Sequence, residues 1–372
     1  MGTGRFPFFT QQNDFIGIFR EGAMEFLKTK VARRTLLGMA TAAMLAPTAF
    51  ATAAYAETKL VLSSWLPPRH PIVVNAIKPW AKEVKKVTDG RVSVRVLAKP
   101  AGAPPAHFDM AADGVVDITY GLHSFTKDNR FQRSRIGQFS FLGDDAVSGS
   151  KAFWDVYAND LDAQAEHKGT KVLGLFVHGP GVFHNNVRKL NTPADIEGLK
   201  IRVPGGYIAD LASDLGASPL FMPSGEVYET LSRGIIDGVT FTYEALTAFK
   251  LLDHVKYSMR VPGGIYNTTW FLVMNEDKWK GISAEDQAAI MAISGDAFAE
   301  RVGKAWNGAD EKAIERINKA GIEIYDASPE MVAAIKEKAA GYETEWAKAV
   351  AEDGFDGTAA LTKFRKSTGV EK

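Results

Sequence analysis

Two segments far apart in the chain repeat one local plan: DGVVDITYG, starting at Asp113, and RGIIDGVTF, starting at Arg233. Each carries a glycine, a β-branched pair and an aspartate that lead into a short strand. Glycine ends a helix without a Cβ penalty, and a β-branched pair suits a buried strand. A chain that builds this helix-to-strand corner twice is constrained toward two similarly wound α/β halves. The stretch before the first corner agrees. Leu60 to Trp65 reads as a strand, and Val73, Ile77, Trp80, Val84 and Val87 recur at helical spacing up to Asp89-Gly90. VSVRVL then alternates with period two. Strand, helix and strand at this length predict a parallel sheet. At 372 residues the chain suits two domains.

Further along, Thr192-Pro193-Ala194-Asp195 marks a helix start, with a capping side chain, proline at the first helical position and an acid in the first turn. Lys200-Ile201-Arg202-Val203 reads as a strand that places Arg202 on the face opposite Ile201 and Val203. NTTWFLVMN, near 267–275, is another apolar strand. Ser283 caps a proline-free helical stretch to about Gly321. If continuous, it exceeds one domain diameter and lies across both halves; the alternative is two helices broken near Gly303 or Gly308. Ser328-Pro329-Glu330 opens a last helix carrying Tyr342 and Trp346.

The amino terminus reads as an export signal. KTKVARRTLLGMATAAMLAPTAFATAAYA has a basic start, an uncharged apolar run and the small-x-small ending Ala54-Tyr55-Ala56. Arg33-Arg34 resembles a twin-arginine signal, with a general secretory signal as the alternative. Residues 1–56 are therefore set apart from the fold, and Met24 is a candidate start. The whole chain carries 44 basic and 44 acidic residues; without residues 1–56 the formal charge is −3. Nothing in that balance points to nucleic acid. Cysteine is absent, which excludes disulfides and thiolate chemistry. The expectation is a soluble, periplasmic monomer.

Enzyme signatures are poor: no G-x-S-x-G, no Walker loop, no H-E-x-x-H. The glycine cluster from Gly174 to Gly181 lacks the helix start that would cradle a phosphate. The seven histidines are scattered, and His178 and His184 lack a ligand spacing. What remains is a binding cleft at strand ends, where ligands of open α/β sheets sit. The candidates are Trp65, His70, Tyr120, His178, Phe183, Arg202, Tyr243, Glu244, Asn267 and Trp270. Each aromatic could equally be ordinary core. Arg202 stands out, because a buried guanidinium at a strand end needs an anionic partner.

GLKIRVPGG, preceded by TPADIE and followed by MPSGEVYETLSRGIIDGVTF, resembles the solute-binding proteins of tripartite ATP-independent periplasmic (TRAP) transporters, the DctP-like family. ADGVVDITYG and VMNEDKWKGISAEDQAAI are similar to segments of that family too. The resemblance covers nearly all of residues 57–372. It implies a two-domain periplasmic solute-binding protein fold (type II-like) with a long helix spanning both domains. The implied boundaries are 57–179 plus 268–307 for domain I and 180–267 plus 308–372 for domain II. It implies no catalysis: an organic acid is gripped by Arg202 through its carboxylate and delivered to the membrane subunits of a TRAP transporter.

A second pocket arginine of many members is missing here, where Gly181, Val182, Phe183 and His184 stand. That favours a monocarboxylate with an apolar, hydroxylated or aromatic body. Tyr243-Glu244 matches a position where some members hold a cation with the substrate, so Glu244 is a candidate metal ligand or a partner for substrate hydroxyls; no other cofactor is implied. Two rival readings stay open. One is a binding protein of an ATP-driven importer. The other is an exported hydrolase or lyase, for which Glu244 with His178 is the only acid–base pair to nominate.

Overall fold

The structure, a computed structural model, describes residues 57–126 and 128–370. The export segment lies outside the described residues. The chain first lays down β1 (Thr58–Ser63), β2 (Val92–Val96), β3 (Ile118–Leu122) and β4 (Thr170–Val177). It then passes through His178–Gly181 into β5 (Val182–Asn185), β6 (Lys200–Val203), β7 (Ser218–Phe221), β8 (Gly238–Phe241) and β9 (Tyr257–Arg260). It returns as β10 (Thr269–Asn275), and β11 (Glu323–Asp326) closes the second sheet. One sheet has the order β2-β1-β3-β10-β4, the other β11-β9-β5-β8-β6-β7.

Strand direction fixes where a ligand can sit. In the first sheet β1 runs parallel to β2 and β3, and β10 runs antiparallel to β3 and β4. So β1, β3 and β4 finish on the edge where β10 begins. In the second sheet β6 is parallel to β7 and β8, while β5 opposes β8. So β6, β7 and β8 finish where β5 begins. Because β4 feeds directly into β5, these two carboxyl-end edges meet at the crossing.

Both corners form as the repeated segments predict. The helix His107–Ala112 gives way to Gly114 at φ 72°, and the helix Val227–Ser232 to Gly234 at φ 67°. A side chain at either glycine would be strained in this left-handed region. At Thr192 the Asp195 carboxylate accepts the Thr192 N–H at 2.8 Å, completing a capping box.

The stretch after Ser283 is broken, but not at either glycine considered above. Helices Ala284–Ala292 and Gly295–Lys319 meet at Ser294-Gly295. Gly295 takes φ 53°, and a Cβ there would lie 2.7 Å from the Trp154 ring. Ser294 Oγ accepts from Trp80 Nε1 at 3.1 Å, which pins the break to the core. Gly303 has the opposite role: it lets the long helix lie on the Ala146–Asp155 helix, since a Cβ would come within 2.5 Å of Val147 Cα. Twenty-five residues rise about 37 Å. That is enough to pack on β4 at one end and on the Tyr243–Ala248 helix and β11 at the other.

Strands β1–β4 and β10 lie within residues 57–179 and 268–307, and the others within 180–267 and 308–372. Yet the described residues pack as one compact unit. One core joins Leu175 and Phe271 of the first sheet to Phe183, Ile201 and Met259 of the second. A terminal helix, Gly357–Thr368, lies back on the first half, where Lys363 pairs with Asp155 and Asp160 at 2.9 and 2.7 Å.

Six histidines are buried: His70, His107, His123, His167, His178 and His184. Desolvation lowers each of them, His167 and His178 to about 4 and His70 and His184 to about 3. The unfolded chain therefore binds more protons below about pH 6.5, and stability falls as pH drops through that window. Each histidine contributes about 1.4 kcal/mol per pH unit there. Burial raises Glu166, Glu244 and Asp310, which act in the opposite sense, so their contribution is lost as pH rises. Six groups outweigh three. The thermal midpoint at pH 5 should be several degrees below that at pH 7; an equal or higher midpoint at pH 5 would contradict neutral buried histidines.

Candidate functional site

Arg202, the penultimate residue of β6, is 1% exposed. Its Nε donates to the Met222 carbonyl at 3.0 Å and Nη1 to the Thr240 carbonyl at 3.1 Å. Nη2 reaches Ser224 Oγ at 3.5 Å, and the guanidinium lies 4.2 Å over the Phe241 ring. Burial lowers its pKa to about 10, so it stays charged at neutral pH, and no carboxylate pairs with it among the described residues. Backbone carbonyls and an aromatic face hold the fork in place, but they do not neutralise its charge.

Arg202 forms one wall of a cavity between the facing sheet edges, with about 40 Å³ of free interior volume. That is well below the roughly 300 Å³ at which small-molecule sites begin, so the edges must part to admit a ligand. The opposite wall is aromatic. Trp65, just past β1, stacks on Trp270 of β10 at 5.4 Å and 4°. Trp270 stacks in turn on Phe176 at 5.8 Å and meets Trp306 at 5.3 Å. Phe241 and Phe249 stack at 5.7 Å on the second-sheet side. Such faces offer a flat apolar body aromatic surface to stack on.

A second polar group gathers where β8 ends. Glu244 sits in the first turn of the Tyr243–Ala248 helix, and its N–H donates to Asp310 Oδ1 on the long helix at 2.7 Å. Burial, then the nearby Asp310 charge, pushes the Glu244 carboxyl up to about 8. Burial likewise lifts Asp310 to about 7. Ile72 N–H donates to His70 Nδ1 at 3.3 Å, which leaves the ring proton on Nε2, 3.5 Å from Glu244 Oε2. With His70 neutral and Glu244 protonated, this contact is not an ion pair.

Of the ten candidate side chains, the cavity wall brings together Arg202, Trp65, His70, His178, Glu244 and Trp270. The other four stand behind it. Tyr120 bonds Ser64 Oγ at 2.6 Å, and its carbonyl accepts from Trp65 Nε1 at 3.0 Å, so it braces Trp65. Phe183 is buried in the shared core between β8 and β9. The Tyr243 ring packs on His184 at 5.9 Å. Asn267, with its amide oriented to satisfy both ends, donates to the Gly179 and His178 carbonyls at 2.9 Å. It thereby fixes the crossing that carries His178. Wall residues that the sequence reading missed include Tyr266, Trp306, Phe241, Phe249, Ser224 and Thr268.

Comparison with known proteins follows the same lines. The family model for bacterial extracellular solute-binding protein, family 7, matches residues 62–349. A TRAP periplasmic solute-binding protein from Bordetella bronchiseptica, solved with bound (R)- and (S)-mandelate, is 40% identical. It has a TM-score of 0.81, over 84% of this chain and 99% of that one. A TRAP solute-binding protein from Rhodoferax ferrireducens, solved with copurified benzoate, is 29% identical with a TM-score of 0.77, covering 84% and 98%. The outer membrane transporter protein TsaT of Comamonas testosteroni is 28% identical over 90% of this chain and 98% of its own.

Proposed function

The chain belongs to the bacterial extracellular solute-binding proteins of family 7, and from that premise we propose that it captures an aromatic monocarboxylate between its two sheets and delivers it to a TRAP transporter. The observation that carries this reading is Arg202: a buried guanidinium without a counter-charge, facing an aromatic box. A ligand carboxylate supplies the missing charge through two parallel hydrogen bonds. Relatives that share 40% and 29% identity were solved with mandelate and benzoate, one carboxylate on one ring in each case.

Binding without turnover fits the wall. His178 Nε2 accepts the Thr268 N–H at 3.0 Å and Nδ1 bonds the Gly179 carbonyl, so neither ring nitrogen is free to act as a base beside Glu244. We also read the site as working without a cation. Among the described residues no three His, Asp or Glu side chains gather as around a metal ion. His70 and Trp306 turn N–H groups toward Glu244, although the Asp310 carboxyl stands near it as well. Affinity should therefore survive exhaustive chelation. Periplasmic residence and a monomeric state complete the proposal; no described helix is long and apolar enough to cross a membrane.

A thermal-shift screen over aryl, aliphatic, dicarboxylic and sugar acids tests the reading. An aryl monocarboxylate at 100 times its dissociation constant should add about 2.7 kcal/mol of stability. Shifts with sugar acids or dicarboxylates alone would reject it.

A further inference from the structure

Two buried polar atoms on the cavity wall have no hydrogen-bond partner among the described residues: Glu244 Oε2 and Trp306 Nε1. Their residues are 3% and 2% exposed. They belong to different elements, Glu244 to the short helix after β8 and Trp306 to the long helix, and the indole N–H lies near enough to the Glu244 carboxyl to favour its charged form while missing hydrogen-bond geometry. One atom is an acceptor and the other a donor. Buried polar atoms are nearly always paired, so an adjacent orphaned donor and acceptor in a binding cavity define what must arrive there. The simplest group able to complete both at once is a hydroxyl, which accepts from Trp306 Nε1–H and donates to Glu244 Oε2.

We infer that Trp306 and Glu244 form a hydroxyl-reading subsite, so that this protein selects aromatic acids that carry a hydroxyl over the same acids without one. The inference rests on the reading of the cavity as an aromatic carboxylate site and names the feature that discriminates among such ligands. His70 and Asp310 are its positioning residues. His70 Nε2 stands 3.5 Å from Glu244 Oε2 without bonding it, and Asp310 accepts the Glu244 backbone N–H. The elevated Glu244 carboxyl fits this role, since a neutral acid beside a ligand carboxylate avoids like-charge repulsion. The other lining groups on this side do not compete for the two atoms. Thr242 Oγ1 already donates to Glu244 Oε1 at 3.3 Å, and Trp270 Nε1 donates to Thr268 Oγ1 at 2.9 Å.

The test is a calorimetric comparison of matched pairs, mandelate against phenylacetate and 3-hydroxybenzoate against benzoate. Sites built to bond a substrate hydroxyl penalise the analogue that lacks it, because their own polar groups are left unpaired. In the wild type at least one pair should favour the hydroxylated acid by about tenfold to a hundredfold. That ratio should collapse to within about threefold of unity in Trp306→Phe, which removes the N–H together with the pyrrole half of the indole, and in Glu244→Leu, which removes the acceptor. If either variant folds poorly, the other still decides. Equal affinities within both pairs, with the unhydroxylated acids binding well, would overturn the subsite and leave the aromatic-acid reading standing. A ratio that persists in both variants would overturn it as well. Failure of all four acids to bind would remove both.

Discussion

Replacing Arg202 with alanine should weaken binding of the cognate acid by roughly thirty-fold to several-thousand-fold, about 2–5 kcal/mol. The ligand carboxylate would enter a buried, aromatic cavity without its counter-charge. Arg202→Lys should also lose about tenfold or more, because one ammonium cannot hold the Met222 and Thr240 carbonyls and still offer a planar fork. The effect on folding is less simple than the strand pattern alone implies. That pattern puts Arg202 on the face opposite Ile201 and Val203, and there the side chain is 1% exposed and bonded to two backbone carbonyls. Truncation orphans those carbonyls but also removes a desolvated charge. The terms oppose, so ligand-free stability should move by less than about 2 kcal/mol in either direction. Calorimetry and denaturant unfolding of the same variant separate the two effects. Near-wild-type affinity would remove Arg202 as the anchor.

The largest loss of stability should come from Trp270→Ala. The indole is 5% exposed, lies between Trp65 and Phe176, and meets Trp306 at a tilt of 55°. Its deletion removes the centre of the stack and leaves a cavity where β10 joins the first sheet. The expected cost is about 3–5 kcal/mol in unfolding free energy. Affinity for an aryl acid should fall along with it, since Trp65 loses the ring that holds it upright. Trp270→Phe keeps a flat face and should lose less than half as much stability. Chemical denaturation monitored by far-UV circular dichroism reads both. A cost below about 1 kcal/mol for the alanine variant would mean that the stack does not bear on stability.

Where the sequence was readable, a short-range rule was at work. Arg202 stood out because a two-residue period puts it opposite Ile201 and Val203, and Glu244 because it stands where a strand ends and matches a family position. The glycines Gly114 and Gly234 showed those corners, since a left-handed residue at a helix end needs no tertiary information. Trp306 was invisible for the converse reason. On a helix with core-like spacing it looks like packing, and only the fold reveals that its N–H is left without a partner beside Glu244. Tyr120 and Phe183 lie on strands whose every described residue is buried, so alternation does not say which face looks into the cleft. The break at Ser294-Gly295 depends on Trp154 and Trp80, which are distant in sequence. Helical periodicity carries no trace of either.

The account turns on a carboxylate meeting Arg202 inside an aromatic box. Calorimetric titration of the protein with mandelate and with its methyl ester isolates that contact, because the ester keeps the ring and the hydroxyl and loses only the charge. The acid should saturate at one molecule per chain, and the ester should bind at least about a hundredfold more weakly. An ester that binds within about threefold of the acid would show that the cavity does not use its buried guanidinium, and would contradict the account.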